Sequence, residues 1–409
     1  MTEIIIATVF LLLSIIVGVL RIIKLDGGLY IQDIRLFFLL SFSVYIVFLP
    51  IVYCFFSDMM KFNDSVFANM VWLYTSAMVA YDSVLFSCKT RWINNSLSAE
   101  PYKSYNIPFF ILTLLVAYSF YYMQSRGIQT FSLGDNMSSR SELGEVVQQS
   151  WIVLTIAIAV IFNFLLFNFK KLSFFQKIIF LGLLFFYVAY QVSIGNRREY
   201  TTIIIFFVCY YLCIRKIPLN SKILIFLIVG FLGSFFLPMI RDSSTRDMNR
   251  QDMIQAAILS NEFIYPQQTT YYTMEASPEY RLGYTYTILP IQIAIPRAIY
   301  PNKPQTLGTE FITNILKTRQ GYAYTPITEA FLNFGYVGPF VVFYLLALFL
   351  NKLVKESKSR GVSFKYMIIF AYSFDFCRSE FSSVAYSFFL IFVSYWIIES
   401  LCVRRRSMA

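Results

Sequence analysis

The sequence predicts an all-α polytopic membrane protein with about eleven transmembrane helices (ten to twelve). Three observations predict it. Of 409 residues, 57% are hydrophobic and 14% charged, with a mean hydropathy of +0.60; a soluble domain carries roughly a quarter charged residues and could not bury this much apolar side chain. The apolar residues come in runs of about 14–23, the length that crosses or nearly crosses a bilayer's hydrocarbon. Lys and Arg fall in alternate breaks between those runs.

In chain order the runs are 3–23, 34–55, 67–87, 107–123, 151–169, 178–194, 200–214, 222–240, 336–351, 364–377 and 381–402. The first opens with Glu3 instead of a basic region and is followed by no small-residue cleavage site, so it is expected to stay as a helix rather than leave as a signal peptide. The third carries a lone Asp82, expected to be hydrogen-bonded inside the bundle. The last two flank Asp375, Arg378 and Glu380, a weaker functional candidate that local ion pairing also explains well.

Six alternate loops hold twenty of the thirty-four basic residues. They comprise Arg21, Lys24 and Arg35; Lys89, Arg91 and Lys103; Lys170, Lys171 and Lys177; Arg215, Lys216 and Lys222; Lys352 through Lys365; and Arg404, Arg405 and Arg406. Short basic loops face the cytoplasm. The N-terminus is therefore expected outside and the C-terminus inside. The same asymmetry accounts for the net charge of +11 without nucleic acid: basic loops orient helices and meet anionic membrane lipids.

Several chemistries are excluded. There is no histidine, hence no imidazole base, no His-ligated metal and no Ser-His-Asp or Cys-His nucleophile. The six cysteines (Cys54, Cys88, Cys209, Cys213, Cys377, Cys402) lie in or beside apolar runs, which suits buried small hydrophobes better than a disulfide scaffold or a zinc site. No GxxxxGK[ST] loop and no DxD pair is present, so no cofactor, nucleotide or metal is expected.

The organisation that follows is an N-terminal bundle of about eight helices over 1–240, a large external segment over 241–335, and about three helices with a basic tail over 336–409. The polar stretch 124–150 reads as a connector. The external segment holds eight basic and eight acidic residues and nine tyrosines, from Tyr265 to Tyr324. A loop this long is expected to be a functional subdomain, and its tyrosines offer flat apolar faces with a hydroxyl edge that suit carbohydrate as well as ordinary interfaces. Within it TILPIQIAIP (287–296) is apolar but too short to span, as a re-entrant or surface-lying piece would be.

Three motifs carry chemistry. GNRREY (195–200) joins two short runs; the second, with about 14 residues, gives roughly 21 Å of helix against about 30 Å of hydrocarbon. Arg197, Arg198 and Glu199 are thus expected below the outer surface. An arginine there costs about 2.5–3.5 kcal/mol and normally marks function, the alternative being arginines that snorkel to the headgroups. In AIPRAIYPNKPQTLG (294–308), Pro296, Pro301 and Pro304 stiffen the chain that presents Arg297 and Lys303, as a phosphate or sugar-acid site requires and as a plain surface turn also allows. In TPITEAFLNFGYVG (325–338), Glu329 is either a general base at the outer rim or a carboxylate favouring a helix N-terminus. Arg241 with Asp242, just outside the eighth run, is a further candidate.

The ordered set GN-R, then IPRAIYPNKP, then E-x₅-G resembles the bacterial O-antigen polymerases, the Wzy family. The resemblance covers most of the chain as topology and some 35 residues as motif. It implies a bundle similar to the C-type membrane glycosyltransferases, in the inner membrane with the N-terminus periplasmic. It also implies metal-free transfer of a growing glycan from undecaprenyl diphosphate onto a new lipid-linked repeat unit at the periplasmic face. On that resemblance Arg198 and Arg297 stabilise the leaving diphosphate, Arg241 and Lys303 assist, Glu329 is the base, and Asn196, Tyr300 and Tyr322 contact sugar or phosphate. The implied partners are the lipid-linked donor and acceptor and a chain-length regulator. The alternatives are an O-antigen ligase and a repeat-unit flippase. Related ligases use a histidine, which this chain lacks, and flippases have short loops, unlike 241–335.

Overall fold

A computed structural model of the chain describes residues 1–26, 30, 32–57, 60–85, 105–125, 145–193, 197–215, 263–295, 299–317 and 324–402. Among the described residues there are fourteen α-helices and no strand. They are α1 (Thr2–Asp26), α2 (Ile34–Phe56), α3 (Asp64–Leu85), α4 (Asn106–Gln124), α5 (Glu145–Phe167), α6 (Phe174–Ser193), α7 (Arg197–Arg215), α8 (Tyr265–Ala276), α9 (Tyr284–Ala294), α10 (Leu307–Glu310, continued by a wider π turn over Phe311–Leu316), α11 (Pro326–Phe334), α12 (Gly338–Arg360), α13 (Phe364–Phe376) and α14 (Phe381–Cys402).

Ten of the eleven apolar runs coincide with a helix; the run 222–240 lies outside the described residues. Five stretches are long and apolar enough to cross a membrane, namely Thr2–Asp26, Ile34–Phe56, Phe174–Val192, Pro326–Ser359 and Phe381–Leu401, with shorter apolar helices at Asn106–Tyr122, Ile152–Phe167 and Thr201–Tyr211. The distance from five to eleven has a physical source. Helix α3 is diluted by Thr75, Ser76, Asp82 and Ser83, and α13 has only 13 residues. Large apolar side chains stand fully out from these helices, among them Phe10, Ile16 and Leu20 on α1, Phe175 and Phe185 on α6, and Phe389 and Trp396 on α14. A water-soluble surface does not carry such continuous apolar faces; this is a multi-pass membrane protein.

The chain divides into two compact units, the first formed by Met1–Asn95, Arg215–Arg360 and Ser373–Val384, the second by Ser96–Ile214, Gly361–Tyr372 and Ala385–Ala409. In the first, α3 packs along both α1 and α12. Gly18 makes the α1–α3 approach possible, since a Cβ there would stand 2.3 Å from Asp82 Oδ1. Arg21 closes the same crossing by donating to the Asp82 carbonyl at 2.7 Å.

The two ends of this unit differ. At one end the Met1 ammonium meets Asp64 at 2.9 Å. There α8 docks on the ends of α2 and α3: the Leu49 N–H donates to Gln267 Oε1 at 3.0 Å, and the Asn63 N–H to the Tyr271 hydroxyl at 2.7 Å. At the other end Arg35 is wholly buried between Asp26, Asp33 and Asn351, with Lys358 on the far side of Asp26. The N-terminus, α8 and the break before α3 thus gather at one end of the unit, and the break after α1 meets Lys358 of α12 at the other.

The second unit is held by aromatic packing. Phe162 lies against Phe180 and Tyr187, and the Tyr190 hydroxyl donates to the Ser119 carbonyl at 3.3 Å. Phe364 stacks on Tyr395 at 4.9 Å and meets Phe164 and Phe206 edgewise or tilted.

Candidate functional site: a buried carboxylate in the first unit

The site is built on α11. Thr325 caps it, its hydroxyl accepting the Thr328 N–H at 3.0 Å, and Pro326 follows at the first helical position, where its missing N–H is no loss. The Thr328 hydroxyl then bonds to that of Thr270 on α8 at 2.7 Å. The helix stops at Gly335, whose φ of 62° and ψ of −149° fall where essentially only glycine goes. A Cβ at Gly335 would also stand 2.8 Å from the Tyr280 ring, and one at Gly338 2.0 Å from the Ala330 carbonyl oxygen. The glycine six residues after Glu329 is therefore what folds α12 tightly back on α11.

This geometry buries Glu329 completely. Its Oε2 accepts the N–H of Phe381, the first residue of α14. Its Oε1 makes no hydrogen bond. Thr285 on α9 lies within interaction range of the same carboxyl group.

Asn333, one helical turn after Glu329, locks α9 against α11. Its Oδ1 accepts the N–H groups of Gly283 at 3.0 Å and Thr285 at 3.4 Å; its Nδ2 donates to the Thr285 hydroxyl at 2.6 Å and the Glu329 carbonyl at 2.7 Å. In effect it supplies the N-terminal cap that α9 lacks in its own sequence, where Gly283 at the cap position offers no side chain. The next residues set Tyr286 stacked on Phe334 and tilted on Phe381. The Tyr286 hydroxyl is buried without a hydrogen bond. Burial first, then the charge of Glu329, pushes that phenol well above its ordinary range.

Around this core lie Arg281, Tyr324 and Glu380. Burial works against the charge of Arg281, but the carboxylate of Glu310 outweighs it, and the two form a salt bridge that ties the approach to α9 to α10. Burial raises the Tyr324 phenol, whose hydroxyl lies 3.4 Å from that of Thr273. Glu380 is pushed up chiefly by burial, against hydrogen bonds from Ser383 and the start of α10. Its Oε2 accepts the Gly308 N–H at 2.9 Å and its Oε1 the Ser383 hydroxyl at 2.6 Å. Local ion pairing is thus not the whole account of this residue.

The residues expected from the sequence are distributed as follows. Glu329 is at the centre. Tyr300 and Lys303 form a turn, the Lys303 N–H donating to the Tyr300 carbonyl at 3.2 Å, while the Lys303 ammonium caps the last turn of α9 at the Ile293 carbonyl. Arg198 lies in the first turn of α7, in the second unit. Asn196, Arg241, Arg297 and Tyr322 lie outside the described residues. Sequence reasoning missed Tyr286, Arg281, Glu310 and Asn333. Only Asn333 left a signal, four residues after Glu329 and so on the same helix face.

A carboxyl group with one oxygen fixed and the other without a hydrogen bond can, in its ionised form, accept a proton from a hydroxyl brought to it. The fold defines an all-helical, multi-pass membrane protein, and this site gathers buried carboxyl and phenol groups. The family model described as O-antigen polysaccharide polymerase Wzy matches residues 1–406, and the chain belongs to that family. It is a membrane glycosyltransferase that polymerises lipid-carrier-linked repeat units into O-antigen polysaccharide. No curated protein matches the chain, and no solved structure does.

Proposed function

We propose that this polymerase works at the periplasmic face of the inner membrane, without metal, with Glu329 as the general base that deprotonates the attacking hydroxyl of the acceptor repeat unit. The observation that carries this reading is the unbonded, buried Oε1 of Glu329. A chain without histidine has carboxylates as its ready bases. Arg198 and Arg297 take the charge that builds on the departing undecaprenyl diphosphate, since planar guanidiniums match phosphate oxygens. Arg241 and Lys303 assist, and Asn196, Tyr300 and Tyr322 contact sugar or phosphate. The wider reading keeps eleven spans in a bundle like that of the C-type glycosyltransferases. It divides the chain into helices over 1–240, an external subdomain over 241–335 and helices over 336–409, with the N-terminus periplasmic, the C-terminus cytoplasmic and a separate chain-length regulator as partner.

The test is the lipopolysaccharide ladder of a strain lacking the gene and complemented with variants. Core bearing a single repeat is expected for the empty strain. Glu329→Gln keeps an oxygen for the Phe381 N–H, so the protein should accumulate normally while extension falls by about 10²–10⁴-fold; Arg198→Ala should also abolish the ladder. A normal ladder from Glu329→Gln refutes the base assignment, and bare core in the empty strain refutes polymerisation as the step lost.

A further inference from the structure

We propose that Glu380 is a positioning residue for glycosyl transfer, a clamp that holds the proline-stiffened basic turn against Glu329; this rests on the reading just given. Two consecutive residues make the clamp. The side chain of Glu380 accepts the Gly308 N–H at 2.9 Å, where α10 closes the segment that carries Tyr300 and Lys303. The backbone N–H of Phe381 holds Glu329 Oε2. The two motifs read from the sequence, 294–308 and 325–338, thus meet on one short break between α13 and α14.

A residue that merely capped α14 would bond to its own helix. Glu380 does so through Ser383 with one oxygen, and uses the other to reach a backbone 72 positions away. The group is 5% exposed, so water does not compete for either bond. The opposite side of α10 is held by the Arg281–Glu310 salt bridge and Lys303 is tied to the end of α9, so Glu380 at Gly308 is the hold that joins the turn to the break before α14. Donor diphosphate and acceptor hydroxyl must approach in a fixed geometry, and a misplacement of about 1 Å can cost about 10²-fold in rate.

The experiment uses the full-length chain in membranes. It measures extension of a diphosphate-linked repeat unit, with kcat and KM for the acceptor separated and protein amount and elution profile recorded. Glu380→Ala is expected to lower kcat by about 10²-fold with protein amount unchanged. Glu380→Gln is expected to retain activity, because its amide oxygen still accepts the Gly308 N–H. Glu380→Asp keeps the charge but is one methylene short; it should fail like Ala, and it carries the test if the Ala variant does not accumulate. Since Glu380 acts through the site of Glu329, Glu380→Ala combined with Glu329→Gln should be no slower than Glu329→Gln alone. Wild-type kcat in both the Ala and Asp variants overturns the clamp, as does multiplication of the two losses or a Gln variant as slow as Ala. An active Glu329→Gln overturns the base reading and the clamp with it, whereas an inactive Glu329→Gln beside an active Glu380→Ala overturns the clamp alone.

Discussion

Replacing Arg35 by Met should destabilise the protein without altering its chemistry, and the size of the effect follows from the charges left behind. The guanidinium donates to both oxygens of Asp26 (3.0 and 2.9 Å), to both oxygens of Asp33 and to Asn351 at 3.2 Å, and none of these side chains is in reach of water. Among the described residues the cluster with Lys358 is neutral: two carboxylates, two cations. Without Arg35 one buried carboxylate is uncompensated, and breaking a buried pair in this way costs about 3–5 kcal/mol. The assay is thermal unfolding of the full-length protein in detergent, followed by size-exclusion with a fused fluorophore. A much lower melting temperature and less protein in the membrane are expected. Adding Asp33→Asn restores neutrality while keeping an oxygen that caps α2 at the Arg35-position N–H, so the double variant should recover about 0.5–3 kcal/mol of the loss. A Met variant that melts like wild type, or a double variant less stable than the single, would refute the reasoning.

Gly335→Ala should cost about 1–3 kcal/mol from backbone conformation alone, and more because the new methyl meets Tyr280 at 2.8 Å; detergent melting measures it, and an unchanged melting temperature sinks the account of the E-x₅-G spacing. Asn333→Leu removes four hydrogen bonds and leaves buried N–H groups at the start of α9. Each unsatisfied group costs about 1–3 kcal/mol, so this variant should both melt early and lose the ladder, whereas Asn333→Asp, which retains the acceptor, should melt nearer to wild type.

The helices were legible because period and length are local properties. Runs 3–23, 34–55 and 381–402 become α1, α2 and α14 within a few residues. The site was legible only where a motif lies on one helix. Glu329, Asn333 and Gly335 sit within seven residues, and their relations follow from helical geometry plus one glycine. Arg281 with Glu310, and Glu380 with Gly308, pair over 29 and 72 residues. No periodicity announces such pairs, because tertiary packing decides them. For Glu380 the sequence even offered a sufficient local explanation in Arg378, and the carboxylate went elsewhere.

The two sequence-level accounts of Glu329, base or helix-start carboxylate, can now be weighed on geometry. A carboxylate that caps its own helix bonds to the N–H groups of that helix's first turn. Here Thr325 caps the Thr328 N–H, and Pro326 removes another orphan donor. Glu329 instead accepts the N–H of Phe381 on a different helix. A tie between α11 and α14 needs only one oxygen and no charge; glutamine would serve it as well, without the several kcal/mol that desolvating an ion costs. What a tie does not need is the second oxygen, which is buried and makes no hydrogen bond, as is also true of the Tyr286 hydroxyl. Two such buried groups are expensive to leave unsatisfied, and taking the proton from an acceptor hydroxyl is work for which the second oxygen of Glu329 would serve. Because Glu329 is fully buried, an acceptor can reach it only when a side chain packed around it moves aside. The residue after Glu380 holds Glu329 through its backbone N–H, which is why the proposed clamp and the proposed base are expected to fail together.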